Sequence, residues 1–408
     1  MPSQLSNAAS LPSEGRAPAR FPSLAGGFNV SDAQERVPPI ARRERVVWID
    51  LYRGLAVLVM VETHVVNTFL SGTVRLEPWF AALNYINGLV APSFLFIAGF
   101  VQGMERGLAP GKPVNFARRA RQLLLIGVIG YALHFPWLEL GQHRWEAALR
   151  VGTQVDVLQC IAASLGLLLG VTWFAQKIGG RRGDGSWWLG LAAPLALAVF
   201  IAPYAPAWNG LPVPLRAWVN ASTGSWFPLF SWAGFIFFGV LAGAAYGLAR
   251  RTAEAPVAIG QPAGLLTSRS MFRPQRSSAV FLVTPIPLAI SAWAFRGATY
   301  SSLSPASFFE RAVWVLLLAA FCEWIAARYR PSLALFAGKH SLTLYVVHLV
   351  LISALAACGL PASAISLADI CGLIMAVVAA SLGITWVIES ARQRLRNHRA
   401  QSCKLGPL

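Results

Sequence analysis

Ten mostly apolar runs recur along the chain, and polar, often basic segments separate them. A helix of about 20 apolar residues is long enough to cross the hydrocarbon core of a bilayer. The runs are continuous and do not alternate, which indicates helices rather than a β-barrel. The runs cover 47–69, 84–104, 119–139, 153–174, 187–206, 226–249, 279–296, 311–329, 335–357 and 367–389. The sequence therefore predicts an all-α, polytopic integral membrane helix bundle of about ten transmembrane helices.

The composition supports a membrane protein and argues against a nucleic-acid-binding one. Hydrophobic residues make up 56% of the chain and charged residues only 12%, whereas about a quarter of an ordinary soluble protein is charged. The net charge of +17 comes from basic residues that lie between the apolar runs and not on one soluble face. We therefore interpret them as topology signals and as contacts with anionic membrane lipids.

The distribution of Lys and Arg predicts the orientation of the bundle. With a cytosolic N-terminus, the cytosolic segments hold 27 of the 34 Lys and Arg residues and the outer segments hold six. The remaining basic residue, Arg53, lies inside the first run. Cytosolic loops of membrane proteins are enriched in Lys and Arg. We therefore expect an even number of spans and both termini in the cytosol.

Composition also divides the chain into three parts. Residues 1–45 are rich in Ser, Pro, Ala and Arg and lack the apolar stretch of a signal peptide, so we expect a disordered basic cytosolic tail. Residues 46–390 form the membrane domain, with a polar cytosolic loop at 250–278, and residues 391–408 form a second basic cytosolic tail. The five cysteines show neither a CxxC pair nor metal-ligand spacing. We interpret them as small buried residues and expect no metal site.

The first run carries an unusual set of ionisable residues. Successive residues of a helix turn by about 100°, so Asp50, Arg53, His64 and Asn67 share one face, while Glu62 points away from it. His64 lies roughly 16 Å beyond Arg53 along the helix axis. Ionisable groups within a membrane usually face a cavity, and a histidine can exchange protons near neutral pH. A structural alternative stays open, in which Asp50 pairs with Arg53 and His64 only bonds across helices.

Polar residues at the outer ends of other runs fall at the depth of His64. They are Asn84, Asn87, His134, Asp156, Gln159 and Glu310. A carboxylate beside a histidine fixes the tautomer of the ring and raises its basicity, and Asp156 is the best candidate for that role. His348 lies nearer the middle of the ninth run, where it can either line a pathway or pack between helices.

Several motifs resemble one family. The segments "DLYRGLAVLVMVETH" and "NGLVAPSFLFIAGF" resemble the bacterial relatives of heparan-alpha-glucosaminide N-acetyltransferase, a family of polytopic membrane acyltransferases. Further similar segments are "VDVLQC", "PLFSWAGFIFFGVLAGAAYGL" and "FAGKHSLTLYVVHLVLI", so the resemblance extends over nearly all of 47–357. The spacing of Arg53 and His64 also resembles the signature of the broader acyltransferase-3 group, which modifies cell-surface sugars.

The resemblance implies a donor and an acceptor on opposite sides of the membrane. The donor is a cytosolic acyl-CoA, which acts as a co-substrate and not as a permanently bound cofactor. The acceptor is commonly a carbohydrate or glycolipid. By residue-to-residue correspondence, Arg53 would help hold the donor and His64 would serve the transfer. The membrane would be a bacterial plasma membrane.

We therefore expect an acetyl-CoA-dependent acyltransferase with an intramembrane histidine as general base or acyl carrier. The catalytic candidates are His64 and Asp156, the donor-binding candidates are Arg53, Asp50, Arg118 and Arg119, and the acceptor-binding candidates are Asn67, Asn84, Asn87, Gln159 and His348. One alternative is a transporter or flippase with a proton relay, and another is a structural scaffold. A homodimer is compatible with the sequence but is not required by it.

Overall fold

The computed structural model describes residues 45–109, 114–179, 184–254, 278–297, 304–360 and 365–404. These residues are helical, with one isolated β-bridge between Leu70 and Ile365, so the all-α prediction is confirmed. The helices are α1 (Val47–Phe69), α2 (Pro78–Asn87), α3 (Val90–Leu108), α4 (Phe116–Leu133), α5 (Trp137–Gly141), α6 (Trp145–Gly152), α7 (Val157–Gly179), α8 (Asp184–Phe200), α9 (Val213–Val219), α10 (Leu229–Glu254), α11 (Ala279–Val283), α12 (Pro285–Ala294), α13 (Pro305–Arg328), α14 (Ser332–Lys339), α15 (Ser341–Ala357) and α16 (Leu367–Lys404).

Of the three predicted parts of the chain, the structure describes mainly the membrane domain. Residues Val46–Leu408 form one compact unit. The predicted tail at 1–45, except Arg45, and most of the predicted loop at 250–278 lie outside the described residues. The second predicted tail begins within α16, which continues to Lys404.

In the described residues, four helical segments are long and apolar enough to cross a membrane. They are Pro78–Leu108, Val157–Phe174, Leu229–Thr252 and Leu367–His398. The pair α14 and α15 adds a fifth segment if its two helices, which meet at 87°, form one broken span. Helices α1, α4 and α13 cover three more of the apolar runs but are not among these segments. The total of ten spans and the cytosolic position of both termini stay predictions.

Several of the runs differ from their predicted form, and the second and seventh are each divided between two helices, α2 with α3 and α11 with α12. The ninth run, 335–357, is not one helix, because the chain turns sharply at His340 between α14 and α15. The third run was expected to reach residue 139, but α4 ends at Leu133, shortly before Pro136. The residue that precedes a proline is disfavoured in the helical conformation. The prediction of burial holds for Cys160 and Cys322 and is wrong for Cys358 and Cys371, which are exposed.

The most extensive helix contact in the described residues joins α3 to α10. Each of the two helices carries three glycines spaced four residues apart, namely Gly99, Gly103, Gly107, Gly239, Gly243 and Gly247. A methyl group on any of them would overlap the backbone of the opposite helix. Small residues at this spacing let two membrane helices approach until their backbones touch. The pair α3–α10 therefore forms a closely packed centre, against which α1, α7, α8 and α13 pack.

An aromatic cluster secures the helices at the predicted cytosolic end of this pair. Trp48 of α1 lies edge-on to Phe100, Tyr246 and Phe281, with ring centroids 5.2–5.8 Å apart. The Trp48 Nε1–H donates to Tyr246 Oη over 3.2 Å, and Tyr246 Oη–H donates to the carboxylate of Glu323 over 2.9 Å. The hydrogen bonds give the half-buried carboxylate of Glu323 on α13 a partner and connect α1, α10 and α13 in one network.

We expect Gly103→Leu to destabilise the bundle by about 3 kcal/mol, because backbone overlap with α10 cannot be relieved by a change of rotamer. Thermal unfolding of the protein in detergent measures the loss. Gly166→Leu is the matched control, since a methyl group at Gly166 of α7 would meet no atom within 4 Å. Equal unfolding temperatures for the two variants would contradict the close contact of α3 and α10.

Candidate active site

A second backbone contact, between α1 and α14, positions the first polar residue of the site. A methyl group on Gly54 would overlap the carbonyl oxygen of Ala334, and one on Gly338 would overlap that of Asp50. Immediately after this contact the chain turns at His340 into α15, which then packs against α1. The contact therefore holds Arg53 beside the turn between α14 and α15.

A cavity of about 460 Å³ lies between α1, α3, α4, α7, α15 and α16. Its basic side chains belong to the predicted cytosolic ends of their helices and are Arg53, Lys339, Arg392 and Arg396. Its apolar walls lie farther along the helices and are Met60, Phe94, Ile97, Ala98, Ile126, Val157, Leu158 and Ile161. The cavity thus has a basic end and an apolar end, and Arg53 and Met60 are roughly 10 Å apart along α1.

Glu389 of α16 ties the basic end together. Its carboxylate accepts a hydrogen bond from Thr343 Oγ1 over 2.9 Å and another from Arg392. It also lies 3.5 Å from Nδ1 of His340 at the turn. Arg392 donates in addition to Thr343 Oγ1 over 3.2 Å. These contacts hold α16 against the turn, so that the guanidinium group of Arg392 stays at the rim of the cavity.

A polar cluster lies where the cavity reaches Tyr345. Tyr345 Oη–H donates to Oδ2 of Asp156 over 2.8 Å, and Nε2 of His134 lies 3.6 Å from the same oxygen. Asp156 and His134 both interact electrostatically with His64. The structure therefore brings residues of α1, α4, α7 and α15 to one place, with a single carboxylate at its centre.

Two histidine rings lie against each other beside this carboxylate. The ring centroids of His64 and His348 are 5.3 Å apart. His348 is fully buried, and its Nδ1 lies 3.0 Å from the carbonyl oxygen of Leu344, whereas its Nε2 has no hydrogen-bond partner in the described part of the chain. The sequence left open whether His348 lines a pathway or packs between helices. In the structure it lies against His64 of α1.

The predicted acceptor residues differ in their surroundings. Asn87 is buried and donates to the carboxylate of Glu62 over 3.4 Å, so Glu62 meets a neighbouring helix. Gln159 is buried and accepts a hydrogen bond from the backbone N–H of Asp156, which caps the start of α7. The side chains of Asn67 and Asn84 are exposed.

The predicted donor residues are only partly at the cavity. Arg53 lines it, but Asp50, Arg118 and Arg119 do not. Arg119 of α4 instead forms an ion pair with Glu105 of α3 at 2.7 Å and also bonds to Gln102. Arg118 is exposed. The neighbouring acidic residue on α3 explains why Arg119 turns away from the cavity.

Several cavity residues were missed in the sequence. Lys339 counts among the cytosolic basic residues that predict the orientation, and Tyr345 lies in a quoted motif, but neither is a predicted site residue. Residues Glu389, Arg392 and Arg396 follow each other at intervals of three and four, which places them on one face of a helix. That spacing could have indicated a binding surface at the end of the helix. Charged residues that serve only as a basic tail do not have to lie on one face.

The fold and the cavity define a helical membrane protein with a polar site inside its bundle. The chain belongs to the heparan-alpha-glucosaminide N-acetyltransferase family, because the model of the catalytic region of that family matches residues 45–283. It is accordingly an integral membrane protein with acetyltransferase activity. A search of curated proteins finds no match for the chain. The matched region contains Arg53, His64, His134 and Asp156, whereas His348 and the basic residues of α14 and α16 lie beyond it.

We expect Tyr345→Phe to destabilise the protein by about 1–3 kcal/mol, because the half-buried carboxylate of Asp156 loses its closest hydrogen bond. Unfolding in mixed detergent micelles measures the change. Tyr204→Phe is the control, since the Tyr204 ring is 69% exposed. An equal effect of both substitutions would show that the bond to Asp156 contributes nothing to stability.

Proposed function

We propose that the protein transfers an acyl group, acetyl as the expected case, from cytosolic acyl-CoA to an acceptor at the outer side of the membrane. The observation that carries this proposal is the two-ended cavity, with basic residues at one end and the histidine pair with Asp156 beside the other. Family membership supports an acetyltransferase and gives no support to the transport alternative.

The basic end suits the nucleotide part of the donor. Phosphate groups form charge-assisted hydrogen bonds with guanidinium and ammonium groups, and Arg can bind two phosphate oxygens at once. The acidic residue in the lining of this end is Glu389, and Arg392 already balances its charge. The end therefore keeps the positive charge of Lys339 and Arg396, beside which Arg53 also lines the cavity, and the phosphates of CoA would lie there.

The apolar part of the cavity suits the pantetheine arm. A volume of about 460 Å³ falls within the range of ordinary small-molecule sites, and it is enough for a slender chain while the nucleotide stays at the rim. The walls formed by α3, α4 and α7 exclude water from the thioester. The arm would thus bring the acyl group past Met60 toward Tyr345 and Asp156.

The histidine pair supplies the chemistry of the transfer. An acceptor hydroxyl or amine must lose a proton as it attacks the thioester carbon, and CoA leaves as a thiol. An imidazole can take that proton or carry the acyl group for a moment. In our proposal His64 serves the transfer, and Asp156, which acts on it electrostatically, keeps its ring in a productive orientation.

The acceptor is proposed to be a carbohydrate or glycolipid of a bacterial envelope, at the plasma membrane. Asn87 and Gln159 each present a buried amide atom with no hydrogen-bond partner in the described residues. Such atoms can bond to the hydroxyl groups of a sugar. Mass spectrometry of envelope glycans from cells with and without the gene would identify the acceptor as the molecule that loses an acyl group.

Acetyl-CoA is expected to raise the unfolding temperature of the protein in detergent. The double variant Lys339→Gln, Arg396→Gln should bind acetyl-CoA at least about tenfold more weakly, because it loses charge-assisted hydrogen bonds. Arg394→Gln, on the same helix as Arg396 but outside the cavity lining, is the matched control and should bind as the wild type does. Equal affinities for all three proteins would refute the proposed donor site.

His64→Ala is expected to lower acetyl transfer by about 10²–10⁴-fold, the usual contribution of a positioned acid–base group. The assay uses proteoliposomes, labelled acetyl-CoA, and glucosamine or N-acetylglucosamine as amine and hydroxyl probes. His398→Ala, near the end of α16, is the control. Acetyl-CoA should still stabilise the His64 variant against heat. Full turnover by this folded variant would remove His64 from the reaction.

A further inference from the structure

His348 is held in one protonation form by its own helix. Its Nδ1 lies 3.0 Å from the backbone carbonyl oxygen of Leu344, one turn earlier in α15. A carbonyl oxygen can only accept a hydrogen bond, so Nδ1 must carry the hydrogen. A neutral imidazole with hydrogen on one nitrogen has a lone pair on the other. The lone pair of His348 is therefore on Nε2.

That lone pair is buried and has no hydrogen-bond partner in the described part of the chain. A buried polar atom without a partner costs about 1–3 kcal/mol. Such atoms are few in native proteins, and each one calls for a reason, of which a catalytic role is one. A leucine at this position would avoid the cost, so packing alone does not account for a histidine there.

Two ring neighbours of His348 lie close to it but do not bind its lone pair. The rings of His64 and Tyr345 lie 5.3 Å and 5.5 Å from the ring of His348. Tyr345 is already committed as a donor to Asp156. No hydrogen bond joins the two histidines in the described residues, so the partner that Nε2 lacks would be a substrate group that donates a hydrogen bond.

We propose that His348 is the general base of the acyl transfer, with His64 acting on the thioester. This inference rests on the proposed function and assigns separate roles to the two histidines. The hydroxyl or amine of the acceptor donates its proton to Nε2 of His348 while its oxygen or nitrogen bonds to the acyl carbon. The C–S bond breaks, and the proton passes from His348 to the departing thiolate, which leaves as the thiol of CoA.

In the same step His64 donates an N–H group to the carbonyl oxygen of the thioester. A fixed donor at that position stabilises the negative charge that develops on the oxygen in the transition state. The fixed hydrogen on Nδ1 of His348 has the complementary effect, since it leaves Nε2 ready to accept without a change of tautomer. Both imidazoles thus contribute to the reaction, but only one of them takes the proton.

The tautomer can be tested without any assay of activity. Nitrogen NMR of protein labelled with ¹⁵N only in its six histidines distinguishes protonated from unprotonated ring nitrogens. His348→Gln removes one pair of signals and thereby assigns them. We expect a hydrogen on Nδ1 and a lone pair on Nε2 at neutral pH. A hydrogen on Nε2 in the folded wild-type protein would overturn the proposal.

Chemical rescue tests the division of roles. His348→Ala should lower acetyl transfer to glucosamine or N-acetylglucosamine by about 10²–10⁴-fold, and free imidazole should restore part of it by occupying the space of the lost ring. Stabilisation by acetyl-CoA should not change. His64→Ala is the comparison and should not be rescued as a base. Rescue of His64→Ala alone would assign the base to His64 and overturn the proposal.

The outcomes separate this inference from the proposed function. If His348→Ala does not fold, the more conservative His348→Gln replaces it, and transfer at the wild-type rate by that variant would refute the base role alone. Absence of acetyl transfer to both probes and of acetyl-CoA binding in the folded wild type would refute the proposed function and the base role together. The NMR result on the tautomer would stand in either case.

Discussion

Contact between helix backbones at glycine is the interaction on which the rest of this bundle depends. In a membrane, apolar side chains gain little by leaving lipid for protein, so close packing has to come from surfaces that fit. Gly103 and Gly243 let α3 and α10 touch along their length, and Gly54 and Gly338 do the same for α1 and α14. The second contact has a chemical consequence. It fixes the turn at His340 next to Arg53, and from there α15 runs beside α1 and brings His348 to His64.

The membrane makes a second demand, because a charge in hydrocarbon is expensive unless it is paired or faces a cavity. Three carboxylates inside the helix bundle are paired. Glu62 bonds to Asn87, Asp156 to Tyr345, and Glu323 to Tyr246. One exception is therefore informative, because Nε2 of His348 is buried without a partner in the described residues. A polar ligand at this position would complete what the protein leaves unsatisfied.

Hydropathy predicts the helices of this chain well because the length of an apolar run is a local property. It places α1 at its observed bounds, and the polar face of that helix leads directly to Arg53 and His64. The turn at His340 was not predictable in this way, since it depends on a contact between Gly338 and α1 that is distant in sequence. The basic loops illustrate the same limit. Arg119 and Arg392 carry the same topological signal, but Arg119 pairs with Glu105 and Arg392 is held at the cavity by Glu389.

The site is assembled from two parts of the chain with different relations to the family. Residues 45–283, which match the family model, supply the polar face of α1, the carboxylate of Asp156 and the apolar walls of the cavity. Helices α14 to α16, which follow the match, supply His348 and most of the basic rim. The basic rim would bind the part of a donor that all acyl-CoA molecules share, and the buried polar atoms near α1 and α7 would contact the acceptor. Affinity for the donor would then depend chiefly on α14 and α16, whereas acceptor specificity would depend on the matched region. The proposed base, His348, would join the two parts, because α15 begins at the basic rim and passes beside His64.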